Sequence, residues 1–231
     1  MWTDRAINDV VAQARAQSDP ERAAAMASYF KMEPFIGIGV PERRAIEKAI
    51  WRTLPDPTSD ELTDAARTLR NLPERELHLS GAEILGKWRH VLEPTRLNTD
   101  IREAILTKPW WDTVDLLGNK VITPMVRDNP ELVDVMWEWN ATQDEWLIRA
   151  SIQHQRGRKD ETDLQLLFDL CEPHTADRRF FVAKGIGWAL RDTSRLDVDA
   201  VQEFVDRHPE LPAVARREAV RGIAREREAA S

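Results

Sequence analysis

The residues of this chain able to do chemistry fall in four short segments. In Pro109-Trp110-Trp111-Asp112-Thr113-Val114-Asp115, Trp111 and Asp115 are four residues apart, so a helix places them on one face, one turn from each other. Trp110, Val114, Leu117 and Val121 form a neighbouring apolar stripe that suits a core. The spacing admits two readings: Trp111 as ordinary packing beside a solvated Asp115, or an indole and a carboxylate lining one site. Asp112 and Asp115 taken together could be the carboxylate pair of a sugar hydrolase, but two groups one turn apart on one helix do not flank a scissile bond well. In Trp146-Leu147-Ile148-Arg149-Ala150, Arg149 interrupts an apolar run; it either snorkels to solvent or grips an anion with its guanidinium fork. In Lys184-Gly185-Ile186-Gly187-Trp188-Ala189-Leu190-Arg191, Lys184, Trp188 and Arg191 fall at i, i+4 and i+7, one helical stripe. A basic-aromatic-basic stripe suits a phosphate backbone with a sugar between, or a half-buried indole flanked by solvated charges. Gly185 and Gly187 each weaken a helix by about 1 kcal/mol relative to alanine, a cost that fits close approach of another helix or of a ligand backbone. The fourth segment runs from Tyr29 to Arg44, where Gly37 and Pro41 bracket a loop entering Pro41-Glu42-Arg43-Arg44. A helix start with adjacent arginines can bind phosphate, or be only a helix start.

The elements that position these residues read as helix after helix. Apolar residues recur at three- and four-residue spacing, and the breaks carry Pro, Asn, Asp or Ser. The spacing predicts helices over 4–16, 20–31, 41–52, 59–70, 74–89, 96–107, 110–127, 131–139, 143–155, 161–171, 177–190, 197–206 and 212–228. Pro20 stands at the first position of one of them, Thr142-Gln143-Asp144-Glu145 matches a capping box, and Pro124 should kink or shorten 110–127. Helix pairs recur at roughly 35–40 residues, a period that suits a HEAT-like helical solenoid. No low-complexity linker interrupts the pattern, so residues 1–231 are expected to form one all-α domain.

Composition narrows the function classes. Hydrophobic residues make up 42% and charged residues 32% of the 231, the balance of a soluble globular protein. No apolar run approaches the roughly 18 residues needed to cross a membrane, and Met1 to Arg15 has no secretory core. The single cysteine, Cys171, sits in an apolar run as a buried small hydrophobe would, which points to a reducing cytoplasm. The five histidines show no metal-ligand pairing, and no phosphate-binding glycine motif occurs, so no metal or other cofactor is expected. A net charge of −7 counts against a nucleic-acid partner unless the 33 Lys and Arg gather on one face.

Taken in order, Pro-Phe-Ile-Gly-Ile with Pro-Glu-Arg-Arg, Trp-Trp-Asp-Thr-Val-Asp, Trp-Leu-Ile-Arg-Ala, Lys-Gly-Ile-Gly-Trp-Ala-Leu-Arg and Ala215-Arg216-Arg217-Glu218-Ala219 resemble the AlkD-like DNA alkylation repair family, the helical-repeat alkylpurine DNA glycosylases. The resemblance runs from about Tyr29 to Ile223. It implies Asp115 as the catalytic aspartate, Trp111 and Trp188 as sugar-contacting tryptophans, and Arg149 as the phosphate-gripping arginine. It further implies that Tyr29, Arg44, Lys184 and Arg191 contact DNA. The implied partner is double-stranded DNA containing alkylated purines, met by a monomer in the cytoplasm at the nucleoid, with no membrane involved.

The residue types suit that reaction. Alkylation at N3 or N7 makes a purine cationic and a good leaving group, so the enzyme needs little acid catalysis. It needs a negative charge near an oxocarbenium-like sugar and a water on the sugar's other side, and Asp115 can supply the first and position the second. The resemblance also implies a grip on the backbone that leaves the lesion stacked, where most glycosylases extrude the base. Two rivals remain open: a non-catalytic helical-repeat scaffold, which would show no basic stripe, and a binder of damaged DNA without turnover.

Overall fold

The computed structural model describes residues 1–32 and 34–229. It is all-α, with no strand among the described residues, and the chain divides into two compact units, Met1–Val121 and Ile122–Ser231. The first unit contains α1 (Trp2–Ala16), α2 (Pro20–Phe30), α3 (Val40–Trp51), α4 (Ser59–Asn71), α5 (Arg75–Lys87), α6 (Arg102–Leu106) and α7 (Trp111–Leu117). The second contains α8 (Thr123–Asp128), α9 (Val133–Asn140), α10 (Glu145–Gln153), α11 (Leu164–Cys171), α12 (Phe180–Thr193), α13 (Val198–Arg207) and α14 (Ala213–Ala229). Helices pack both on their sequence neighbours and on the next but one: α3 on α5 and α5 on α7 in the first unit, α10 on α12 and α12 on α14 in the second. Contact at both spacings is what a helical repeat requires, because each pair buries its apolar stripe only against its neighbours.

Local sequence accounts for most boundaries. Asp19 caps α2, accepting from Arg22 N, with Pro20 at the first position. At α10 the cap is Asp144, which accepts from Trp146 N at 2.9 Å and Leu147 N at 3.0 Å; the box expected at Thr142 lies two residues too early, and Thr142 bonds back to Trp139 O instead. The helix expected over 110–127 is broken. A π-helical turn, Gly118–Ile122, separates α7 from α8, and Pro124 stands at the start of α8. Proline has no N–H to donate and its ring clashes with the preceding turn, so widening that turn accommodates it.

The second unit's core is mainly aliphatic around a stacked Phe168–Phe204 pair, with Ile148, Ile152, Leu170, Val182 and Ile186 among its buried members. Cys171 is fully buried in it, and burial pushes its thiol pKa up. Gly187 sets how closely α12 meets α14. A Cβ there would lie 2.8 Å from Ala215 Cα and 2.9 Å from Ala215 O. Gly187→Ala should therefore destabilise the protein by about 1–3 kcal/mol through forced helix separation, outweighing alanine's advantage of roughly 1 kcal/mol in helix propensity. Chemical denaturation checks this; a stabilised variant would contradict the packing.

Three of the nine tryptophans serve the first unit's core. Trp2 and Trp51 both pack on Trp88, with ring centroids 5.1 and 6.1 Å away, and each indole N–H has an acceptor, at Pro55 O, Ala6 O and Asp56 Oδ1 respectively for Trp2, Trp51 and Trp88. The same unit holds a buried histidine. His78 donates from Nε2 to Leu72 O at 2.7 Å, and burial, with the Arg75, Lys108 and Arg70 charges nearby, pushes its pKa down to about 4. In the second unit His154 donates from Nδ1 to Ser151 O, and burial takes its pKa down to about 4 as well. Unfolding restores both to an ordinary value near 6.5, so the unfolded chain binds more protons between the two values. Stability is therefore full above about pH 6.5 and is lost as pH falls toward 4, by about 3 kcal/mol for each histidine. Urea unfolding at pH 7, 6 and 5 reads this above the carboxylate range; a flat profile would contradict it.

Candidate active site

In the first unit, α7 carries Trp111 and Asp115 one turn apart on one face, both half-buried. The stripe beside them, Val114, Leu117 and Val121, is buried as packing. The entry to α7 is fixed from α5. Arg75, only 3% exposed, forms an ion pair with Asp112 and donates to Thr113 Oγ1 at 3.2 Å. Asp112 in turn accepts from Thr113 N at 2.7 Å. Asp112 is thus tied to a buried arginine and holds the helix start, and Asp115 lies one turn further along α7.

Trp111 stacks on Phe30, with centroids 6.4 Å apart and planes at 21°, and Phe30 leans on Phe35 at 5.6 Å. Phe30 closes α2, where Lys31 takes a left-handed conformation (φ 56°) and turns the chain. Tyr29, the tyrosine singled out in the sequence, is 76% exposed and meets Phe30 edge-on at 5.0 Å; the aromatic ring against Trp111 is its neighbour. The Phe35 loop is held by Glu76 of α5, whose two oxygens accept from Ile36 N at 3.0 Å and Gly37 N at 2.8 Å. Phe30, Phe35 and Trp111 wall an open cavity of about 430 Å³ whose lining also includes Arg22, Arg44 and Arg75. Arg44 half-emerges at its rim and is paired to Glu83 at 2.7 Å. Burial of Glu83 works against its charge, but hydrogen bonds from Lys120 and Arg44 prevail and hold its carboxyl below the usual range.

In the second unit the predicted residues gather around Trp188. Lys184, Arg149 and Arg191 lie over its ring at 5.1, 5.3 and 5.6 Å from the centroid, and Arg156, which the sequence reading missed, lies at 4.9 Å. Arg149 does not snorkel: it is 1% exposed and donates to Phe181 O at 2.7 Å. At Gly185 the α12 backbone packs directly on α10 side chains: a Cβ there would lie 3.2 Å from Gln153 Nε2 and 3.4 Å from Arg149 Cγ and Nη1. Arg191 is shared between Glu218 at 2.6 Å and Asp192 at 3.3 Å. Phe181, against Trp146 at 4.8 Å, and the exposed Phe180 complete the aromatic border. Spacing gave no signal for Arg156, which lies in the turn beyond the end of α10 and reaches Trp188 only through the packing of that turn against α12.

No helix among the described residues is long and apolar enough to cross a membrane. No curated protein matches the chain. Among solved structures, one described as a predicted DNA alkylation repair enzyme from Enterococcus faecalis is similar in fold, with a TM-score of 0.79 at 24% identity over 88% of this chain and 95% of that one. A model of the DNA alkylation repair enzyme family matches residues 10–223, and the chain belongs to that family.

Proposed function

We propose that the protein is a monofunctional glycosylase that releases cationic N3- and N7-alkylated purines from duplex DNA while the lesion stays stacked. Family membership gives it a role in DNA alkylation repair, with DNA as its partner. The observation that carries the finer reading is the Trp111–Asp115 pair on one face of α7, with Trp111 built into the wall of an aromatic, arginine-lined cavity.

The chemistry divides among the residues as follows. The bond between C1′ and the alkylated base breaks, and its electron pair goes to the purine, cancelling its positive charge, so no acid is needed at the leaving group. The sugar is left as an oxocarbenium ion, and the Asp115 carboxylate stabilises it electrostatically. Water adds at C1′ and loses its proton to that carboxylate. Trp111, fixed by stacking on Phe30, offers π density to the cationic sugar. Arg149, Lys184, Trp188 and Arg191 hold the phosphate backbone, with Arg44 and Tyr29 as further backbone contacts. We assign Arg149 a supporting role in that set, because it is buried against Trp188.

The purine's own charge drives its departure, so lesion charge should decide the substrate. Duplexes carrying 7-methylguanine, which is cationic, should lose the base. Duplexes carrying O6-methylguanine, which is neutral, should not. Equal release from both would rule out the mechanism.

A further inference from the structure

We propose that a second pocket in the Ile122–Ser231 unit holds a length of DNA backbone additional to the phosphates gathered at Trp188; the proposal rests on duplex DNA being the ligand. The pocket, about 470 Å³, is lined by Arg156, Lys159, Arg195 and Arg225, with Asp192 as the acidic residue of its wall among the described residues. Four cations to one acid is a local reversal in a chain of net charge −7. Arg156 belongs to both sites: it lies over Trp188 and reaches Asp192 at 3.5 Å inside the pocket, so the two basic surfaces are continuous.

The pocket is built in advance of any ligand. The loop that follows α10 is clamped by Gln155, which is buried, donates to Asp163 O at 2.9 Å and accepts from Asp163 N at 2.8 Å. Within it Gly157 and Lys159 take left-handed conformations, φ 85° and 55°. A lysine holds such a backbone only where its surroundings impose it, and here the result is a fixed presentation of Arg156 and Lys159. Gln153, also in the wall, is 7% exposed, and its Nε2 is buried with no hydrogen-bond partner among the described residues. The carboxylates near the outer cations are weak competitors. Asp160, opposite Arg195 at 3.6 Å, is 93% exposed, and the pair of Arg225 with Glu226 is also a surface one; such pairs contribute little and yield readily to a phosphate. Ile152, Leu167 and Ala189 give the pocket an apolar side that suits a deoxyribose and has no use for a free inorganic ion.

The test is equilibrium binding of lesion-free duplex DNA across a salt series, comparing the wild type with Lys159→Gln/Arg195→Gln/Arg225→Gln. All three residues lie outside the set at Trp188. Each phosphate neutralised contributes about 0.9 to the slope of log affinity against log salt, so the triple variant should show a slope shallower by roughly 2–3. It should bind about 10- to 100-fold more weakly near 0.1 M salt. Its base release at saturating protein should match the wild type. Arg207→Gln on α13, which removes a charge outside the pocket, should change neither. An unchanged slope and affinity in the triple variant would overturn the pocket's role while leaving the glycosylase reading intact. Thermal protection by inorganic phosphate, lost in the triple variant while DNA binding is unaltered, would also overturn it and make this a free-phosphate site. A wild type without salt-dependent DNA affinity would overturn both readings together.

Discussion

Asp115→Asn is expected to slow base release from duplex DNA carrying 7-methylguanine by about 100- to 1000-fold, with DNA affinity nearly unchanged. The substitution keeps the shape of a half-buried side chain on the second turn of α7 and removes the charge that the proposed mechanism sets against a cationic sugar. Asp112→Asn should do the opposite. Asp112 is the partner of Arg75, which is 3% exposed, and neutralising it strands a buried guanidinium. Breaking one side of such a pair costs about 3–5 kcal/mol, so a lowered unfolding midpoint precedes any change in the rate of the folded protein. Single-turnover rates and urea unfolding, measured on both variants, separate a chemical carboxylate from a structural one. Equal rates for Asp115→Asn and the wild type would remove Asp115 from the mechanism.

The two candidate tryptophans should fail differently. Four cations lie within 5.6 Å of the Trp188 ring centroid, so its π density is already engaged and the positive field around it opposes a cationic sugar. The arrangement fits an indole that spaces cations for backbone phosphates. Trp111 carries no such contact among the described residues and stacks on Phe30 instead. Trp188→Ala should therefore weaken DNA binding by about 10- to 100-fold and flatten its salt dependence, while the rate at saturating protein holds. Trp111→Ala should lower that saturating rate by about 10- to 100-fold with a smaller effect on affinity. Phenylalanine at position 188 should restore part of the binding. Interchanged outcomes, with Trp188 governing the rate and Trp111 the affinity, would reverse the assignment.

Periodicity made the helices legible, and it made legible which face of each one matters. The i, i+4 relation of Trp111 to Asp115 and the i, i+4, i+7 stripe of Lys184, Trp188 and Arg191 are properties of a single helix, so spacing alone finds them. Gly187 was legible for a similar reason: an unfavourable residue inside a helix implies a close neighbour, here Ala215 of α14. Contacts between distant segments were not legible. That Arg44 pairs with Glu83, 39 residues on, or that Arg75 of α5 fixes the start of α7, depends on which helices lie side by side. Spacing gives a face and leaves the partner open. The one-residue difference between Tyr29 and Phe30 has the same origin. Both stand at the end of α2, and how that helix docks decides which ring meets Trp111. Pro124 announced a disturbance in its helix, but a lost hydrogen bond can be met by a kink, a break or a π turn, and the sequence does not choose among them.

The identity of the reaction can be read from its products. The protein is incubated with duplex DNA containing 7-methylguanine, and both the released material and the strand are identified by mass. The expected result is free 7-methylguanine together with a strand bearing an abasic site that carries one oxygen from water at C1′. Recovery of an intact strand in which the methyl group has left and guanine remains, or of the lesion untouched, would contradict hydrolysis of the glycosidic bond.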